Sequence, residues 1–354
     1  MNQKFKILFL SNIPTPYQLD FIEEVNKNSN YEMRAYFLWE KEKNRDWLLK
    51  TNPKFIYADN FSYRPRYYLN FYKFFKDFKP KFILIGGYKL PLSNLAIFLA
   101  KISGCKIIFW LENPTPYQNI KKIIRDLHLK FKLLFVDCIL AIGKRAASNY
   151  QKFSNCVYNL PYSMKFNNYY GIERKTINDN VKFLFSGQLI ERKNITVLIE
   201  AFKQIKNKNI KLTVVGSGEL GDEIEKIIKN DKRIKLLGFI QPQDLYRIFS
   251  KSDVFVLPSR YDGWAVVVAE AMAAGMPIVS TEETGAVFEF IKHEENGYLY
   301  DINKESIKDG LMFYINNPRL VYKHGCKNRK IIKNSAVDAK NMALYLYNIL
   351  SNLK

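Results

Sequence analysis

Two carboxylates stand eight positions apart in P-S-R-Y-D-G-W-A-V-V-V-A-E-A-M-A-A-G-M-P-I-V-S-T, residues 258–281. Asp262 falls in the opening loop. Glu270 is the one charge between Trp264 and Val279, on a run of Ala, Val and Met that predicts a helix. A solvent-facing helix would carry several charges. A carboxylate on an apolar one is costly to bury unless it meets a hydrogen-bond donor or the hydroxyls of a ligand. Gly263, Val266, Val267 and Glu270 share a helical face, so Glu270 lies on the side of the preceding loop. The competing reading is a buried ion pair with Arg260 or a lysine.

A second cluster, S-G-Q-L-I-E-R-K-N-I-T at 186–196, leaves a predicted strand and starts a helix. Arg192 and Lys193 stand side by side where backbone N–H groups also point outward. That combination suits a diphosphate, against the plainer reading of a solvated turn. Residues 216–221, G-S-G-E-L-G, fit a dinucleotide fingerprint. The next strand, however, ends L-L-G-F-I-Q and offers no acid for a ribose, so a tight turn is preferred. P-T-P-Y-Q occurs twice, at 14–18 and 114–118, each time after an apolar run. Proline fixes φ and restricts its predecessor, so both copies read as rigid loops that place Tyr17 and Tyr117 at the mouth of a cleft.

These residues need elements to hold them. Short apolar runs at 5–10, 33–38, 82–85, 106–111 and 138–142 alternate with helical spacing at 19–27, 69–78, 92–103 and 120–135. The pattern breaks over 169–180, a polar stretch read as a linker, and then restarts. Strands are expected at 181–185, 211–215, 234–237, 254–257 and 277–280. Helices are expected at 196–205, 223–229, 242–250 and 265–274. Continuously apolar strands alternating with helices imply parallel sheets covered on both faces. The expected domains are 1–170 and 171–335. In the tail, 336–354, Met342, Leu346, Ile349 and Leu353 form one helical face that packs back on the first domain.

The chain has 354 residues and is 47% apolar, enough for two cores. The first 180 residues hold 29 basic and 14 acidic residues, a surplus of 15; the rest carry a surplus of 6. An anionic membrane surface or nucleic acid would explain the bias, but no recognised nucleic-acid motif appears and the excess is spread over several helices. The four cysteines show no C-x-x-C spacing, which argues against zinc and a disulfide framework. The apolar runs are too short for a leader or a membrane span. A cytosolic location with reduced thiols is expected.

Together the segments resemble the retaining glycosyltransferases of family 4, most specifically over 181–300. Their pattern is two carboxylates with seven residues between, then A-x-A-x-G-x-P-V; here Asp262 and Glu270 precede A-M-A-A-G-M-P-I-V. Lys193 matches the family's lysine. V-V-G-S-G-E and N-G-Y-L-Y also resemble it, and the first domain matches loosely through N-I-P-T-P-Y, A-I-G-K-R-A and N-L-P-Y-S. Departures are Asp262 for the usual Glu, Gln188 where an arginine is common, and P-T-P-Y-Q in place of a glycine-rich loop. His128, His293 and His324 do not follow a first-domain strand, so Glu112 is the substitute in the cleft.

The resemblance implies the GT-B fold, two facing Rossmann-like domains with a cleft between them. It also implies transfer of a sugar from a nucleotide diphosphate with retention. Lys193 and Arg192, with the helix start at Thr284 and Gly285, would stabilise the leaving diphosphate. Glu270 would accept from ribose hydroxyls. Asp262 and the backbone at Gly263 and Trp264 would orient the sugar. Gly187, Gln188 and the loop of Gly238, Phe239 and Ile240 would complete the donor site, the loop holding the base. Pro16, Tyr17, Glu112 and Tyr117 fall on the acceptor side. No D-x-D occurs, so neither metal nor cofactor is expected. The expected acceptor is a glycan or a lipid-linked molecule of polysaccharide or lipopolysaccharide synthesis. Residues 63–81 mix cations with aromatics and, with the basic helix over 119–135, suit the inner face of a cytoplasmic membrane; the competing reading, preferred for the aromatics, is core-packing helices with a charged outer face. The alternatives are a sugar-nucleotide epimerase of the same architecture or a basic nucleic-acid-binding protein.

Overall fold

The computed structural model describes residues 4–41, 47–48, 52–114, 120–177, 179–302 and 304–353, without the side chains of 120–122 and 304–306. Two compact units divide the chain: Met1–Lys165 with Ala339–Lys354, and Phe166–Asp338. Among the described residues no helix is long and apolar enough to cross a membrane.

The first unit carries β1 (Phe5–Ser11), β2 (Tyr31–Phe37), β3 (Ile56–Ala58), β4 (Phe82–Ile85), β5 (Lys106–Leu111), β6 (Cys138–Ala141) and β7 (Val157–Asn159). They form one parallel sheet in the order β3-β2-β1-β4-β5-β6-β7. All four residues of β4 and of β6 are buried, which is why these strands are apolar at every position. β3 and β7, three residues each at the sheet edges, were not expected, nor was the helix Lys144–Tyr150. The tail forms the helix Ala339–Asn352 and belongs to this unit. It buries Met342, Leu346 and Ile349; Tyr347 stacks on Tyr31 at 4.3 Å and donates to the Val25 carbonyl at 2.7 Å.

One expectation is corrected here. The first P-T-P-Y-Q is no loop: Pro16 opens the helix Pro16–Asn26, and Thr15 caps it by accepting from the Gln18 amide at 3.3 Å. Proline suits the first helical position, where its missing N–H would be unpaired anyway. In the stretch 63–81 the rings of Tyr67, Phe71, Phe75 and Phe78 are buried on the inner face of the helix Pro65–Phe78, as the core-packing reading expects for them.

The second unit carries β8 (Lys182–Ser186), β9 (Lys211–Val215), β10 (Ile234–Leu236), β11 (Val254–Leu257), β12 (Ile278–Ser280) and β13 (Gly297–Leu299), parallel in the order β10-β9-β8-β11-β12-β13. The unit begins at Phe166, because the short helix Asn167–Tyr170 packs its Tyr169 inside it; the stretch read as a linker is docked at its start. G-S-G-E-L-G serves packing between loops. Gly216 has φ +139°, and a Cβ there would lie 1.8 Å from the Gly187 carbonyl oxygen. A Gly216→Ala protein should lose about 2–4 kcal/mol, from the strained φ and the displaced loop. A fall in its denaturant midpoint checks this.

Candidate active site

In a doubly wound sheet the ligand crevice opens at the carboxyl edge where the strand order reverses. In the second unit that point lies between β8 and β11. The loops leaving β8, β11 and β12 meet there and bring together Arg192, Lys193, Asp262 and Gly285. Lys193 ends a single helical turn, Glu191–Lys193, and is 7% exposed. Its ammonium donates to Asp262 Oδ2, to which Arg192 Nη1 also donates at 3.1 Å. Arg192 is tied further to the Tyr261 carbonyl at 2.7 Å. Burial would raise the Asp262 carboxyl, but Lys193 and then Arg192 outweigh it and hold the group below the usual carboxylate range. Two cations on one carboxylate leave a surplus positive charge at the crevice, with Arg192 half exposed.

Glu270 lies in the first turns of the helix Val266–Ala273, which leaves the Asp262 loop. It is 6% exposed and, among the described residues, pairs with no cation; Arg260 instead faces Glu191 at 3.4 Å. The Tyr169 hydroxyl donates to Glu270 Oε1 at 2.6 Å. Burial pushes this carboxyl up to about 7, and the Tyr169 hydrogen bond lowers it only in part. The buried-ion-pair reading is therefore not what the structure shows. Two guanidiniums secure the far end of the helix. Arg174 Nε donates to the Ala274 carbonyl at 2.7 Å, and Arg329 donates to those of Ala273 and Ala274 at 3.1 and 2.9 Å. Cations at a helix C-terminus satisfy its orphan carbonyls and oppose its dipole.

Further expected donor residues border the same edge. The Gly187 amide donates to the Val215 carbonyl at 3.0 Å and the Gly216 amide to the Gly238 carbonyl at 2.9 Å, so the three strand-end loops are joined. Gln188 and Ile240 are half-buried and Phe239 is exposed. Thr284 and Gly285 stand at the start of the helix Gly285–Phe290. The Gly285 and Ala286 amides already donate to the Asp262 and Trp264 carbonyls, at 3.0 and 2.9 Å, so this helix start serves to hold the Asp262 loop. Gly285 is required there, because a Cβ would lie 2.3 Å from the Gly263 oxygen. The Trp264 ring is buried against Phe290, and its amide donates to Asp262 Oδ1 at 3.3 Å, so this backbone N–H is engaged too.

The first unit has its own order reversal, between β1 and β4, and a cavity of about 400 Å³ opens there. Ser11, Tyr17, Gln18, Gly86, Glu112 and Tyr162 are among its lining residues. The Tyr17 ring lies 4.5 Å from that of Tyr162. Gln18 Nε2 donates to Ser11 Oγ at 3.1 Å, while Gln18 Oε1 is buried without a partner among the described residues. Pro16, the helix opener, is not among the lining residues, and Tyr117 lies outside the described residues.

Sequence reasoning missed Gln18, Tyr169, Arg174 and Arg329. Gln18 stood in the quoted repeat, but only the fold turns it inward. Tyr169 acts on a residue 101 positions away, and nothing local marks it.

Residues 172–336 match the family model described as glycosyl transferases group 1. An uncharacterized glycosyltransferase of Methanocaldococcus jannaschii is 37% identical over 139 residues, 38% of this chain and 35% of that protein. A UDP-Gal:alpha-D-GlcNAc-diphosphoundecaprenol alpha-1,3-galactosyltransferase of Escherichia coli is 33% identical over 129 residues, 34% of this chain and 33% of that protein. The chain thus spans about a third of the length of these two relatives. Among solved structures, Anabaena HepE in complex with UDP superposes with a TM-score of 0.78 at 15% identity, covering 98% of this chain and 100% of that one. The fold is the two-domain α/β architecture of the GT-B type, as the sequence reading expected.

Proposed function

We propose that the protein is a retaining, metal-independent glycosyltransferase, moving a sugar from a nucleotide diphosphate to a glycan or lipid-linked acceptor of cell-surface polysaccharide or lipopolysaccharide synthesis. One observation carries the reading: Lys193 and Arg192 converge on Asp262 at the order reversal of the sheet, inside the segment that matches the glycosyltransferase family. The donor's diphosphate would take up the surplus positive charge of that cluster. As the anomeric C–O bond breaks, its electron pair passes to the diphosphate, and preorganised cations stabilise the charge that develops. Those cations are the grounds for transfer without a metal. Asp262 would hold the sugar, and Glu270 would accept from the ribose hydroxyls.

No second carboxylate can be assigned as a nucleophile paired with an acid, so the acceptor oxygen would attack on the face that the diphosphate leaves. Its proton would pass to the departing phosphate oxygen. The cavity of the first unit, with its unpartnered Gln18 oxygen, would take the acceptor. The HepE complex and the diphosphoundecaprenol in the E. coli relative's name support a UDP-linked donor and a lipid-linked acceptor. The four free cysteines suit the cytoplasm.

Thermal stabilisation by UDP, GDP, ADP, CMP, dTDP and NAD is the test. One nucleoside diphosphate at a hundred times its Kd should add about 2.7 kcal/mol of stability, equally with and without EDTA. Stabilisation by NAD alone would overturn the reading. Loss of transfer in EDTA, restored by Mn²⁺, would remove metal independence. Product from donor alone would point to the epimerase.

A further inference from the structure

The helix Ile120–Leu133 lies against the first unit with Leu129 in the core and Lys132 buried beside it. The Lys132 ammonium donates to the Tyr88 carbonyl at 2.5 Å and to Ser93 Oγ at 2.7 Å, acceptors that replace part of its water. By helical spacing the other face carries Ile123, Ile124, Leu127 and Phe131, with Leu134 one residue past the end. These five are between 62% and 78% exposed. A helix that could have turned five large apolar side chains inward has turned a lysine inward instead. Folding in water gains nothing from that choice, and a contiguous exposed apolar stripe marks a surface meant to be covered.

The flanks indicate what covers it. His128 and Lys130 are exposed at its borders, and the first 180 residues carry 29 basic against 14 acidic residues. A second copy of this chain would set that positive surplus against itself. An anionic lipid surface meets both needs: apolar side chains enter the acyl boundary while lysines snorkel to the headgroups. We propose that the Ile123–Leu127–Phe131 face inserts into anionic lipid, with the helix lying in the plane of the interface. The proposal stands whether or not the donor reading does, because it uses none of the same residues.

The test is co-sedimentation of the full chain with vesicles of equal parts phosphatidylcholine and phosphatidylglycerol. Wild type should pellet at low salt. A Leu127→Asp/Phe131→Asp double variant should bind about tenfold less or weaker still, while keeping the wild-type melting temperature and its stabilisation by nucleotide. In a Phe131→Trp variant, emission should shift to the blue on vesicles and be quenched by brominated acyl chains, above the signal of the four native tryptophans. Equal binding by the double variant would mean adsorption by charge alone and would overturn insertion. So would wild type remaining in the supernatant, or an unshifted emission spectrum of the Phe131→Trp variant. Self-association in gel filtration, abolished by the double substitution, would assign the face to a second copy instead.

Discussion

In a Lys193→Ala protein, sugar transfer falls by about 10²–10³-fold, the usual loss when one donor to a developing oxyanion is removed. Stability falls as well. Lys193 and Asp262 are both largely buried, and they pair directly. Breaking a buried pair costs about 3–5 kcal/mol, here toward the lower figure because Arg192 remains 3.1 Å away. The pH dependence follows from the carboxyl's direction. Asp262 is held below its ordinary value, so its contribution is present at neutral pH and is lost as pH falls through the folded pKa. Without Lys193 that pKa rises, and the acid-unfolding midpoint moves to higher pH. A Lys193→Met/Asp262→Leu protein separates the two roles: with no lone charge left buried, stability returns while transfer stays lost. Transfer by Lys193→Ala within about threefold of wild type would remove this residue from the chemistry.

Glu270→Gln stabilises the protein above neutral pH and weakens its hold on the donor. The folded carboxyl keeps its proton up to about 7, against 4.5 for an ordinary glutamate. That difference costs the wild type about 3 kcal/mol once the pH exceeds the folded value. The cost is absent below the unfolded pKa and grows as pH rises between the two. The glutamine side chain stays neutral throughout, so the variant melts with wild type near pH 4.5 and above it at pH 8. Ribose hydroxyls would favour the charged carboxylate, so nucleotide binding near pH 7 should release protons. Calorimetry in buffers of different ionisation enthalpy reads that release. Losing hydrogen bonds to a charged group weakens Kd by about 10- to 100-fold. A variant whose melting profile tracks wild type from pH 4.5 to 8 would refute the shifted carboxyl.

The central strands were legible because burial on both faces leaves a strand no polar position, as in F-I-L-I at β4 and V-F-V-L at β11. The edges were not, since three half-buried residues such as Val157–Asn159 carry no such pattern. Asp262 and Lys193 could be nominated from sequence, but not their pairing across 69 positions, which the β8–β11 adjacency creates. Glu270 was legible as a charge needing a partner; that the partner is a tyrosine from a supposed linker was not. In P-T-P-Y-Q the repetition outweighed a local signal that was present, a threonine cap followed by a proline at the first helical position. In 63–81 the core-packing reading of the aromatics was legible because the four buried rings fall three or four residues apart, the spacing of a core stripe, with the cations interleaved on the outer face.

The order in which the first unit is finished follows from its return helix. Val25 leaves the ribosome 322 residues before Tyr347, whose hydroxyl its carbonyl accepts. At about 5–20 residues per second this interval is roughly 15–65 s. All seven strands of the first sheet have been synthesised by Asn159, yet the helix Ala339–Asn352 arrives only after the whole second unit. The unit that emerges first is therefore the last to close. During translation the surface around Val25 and Tyr31 is available to chaperones, and a deletion within Ala339–Asn352 acts on a sheet encoded before the whole second unit.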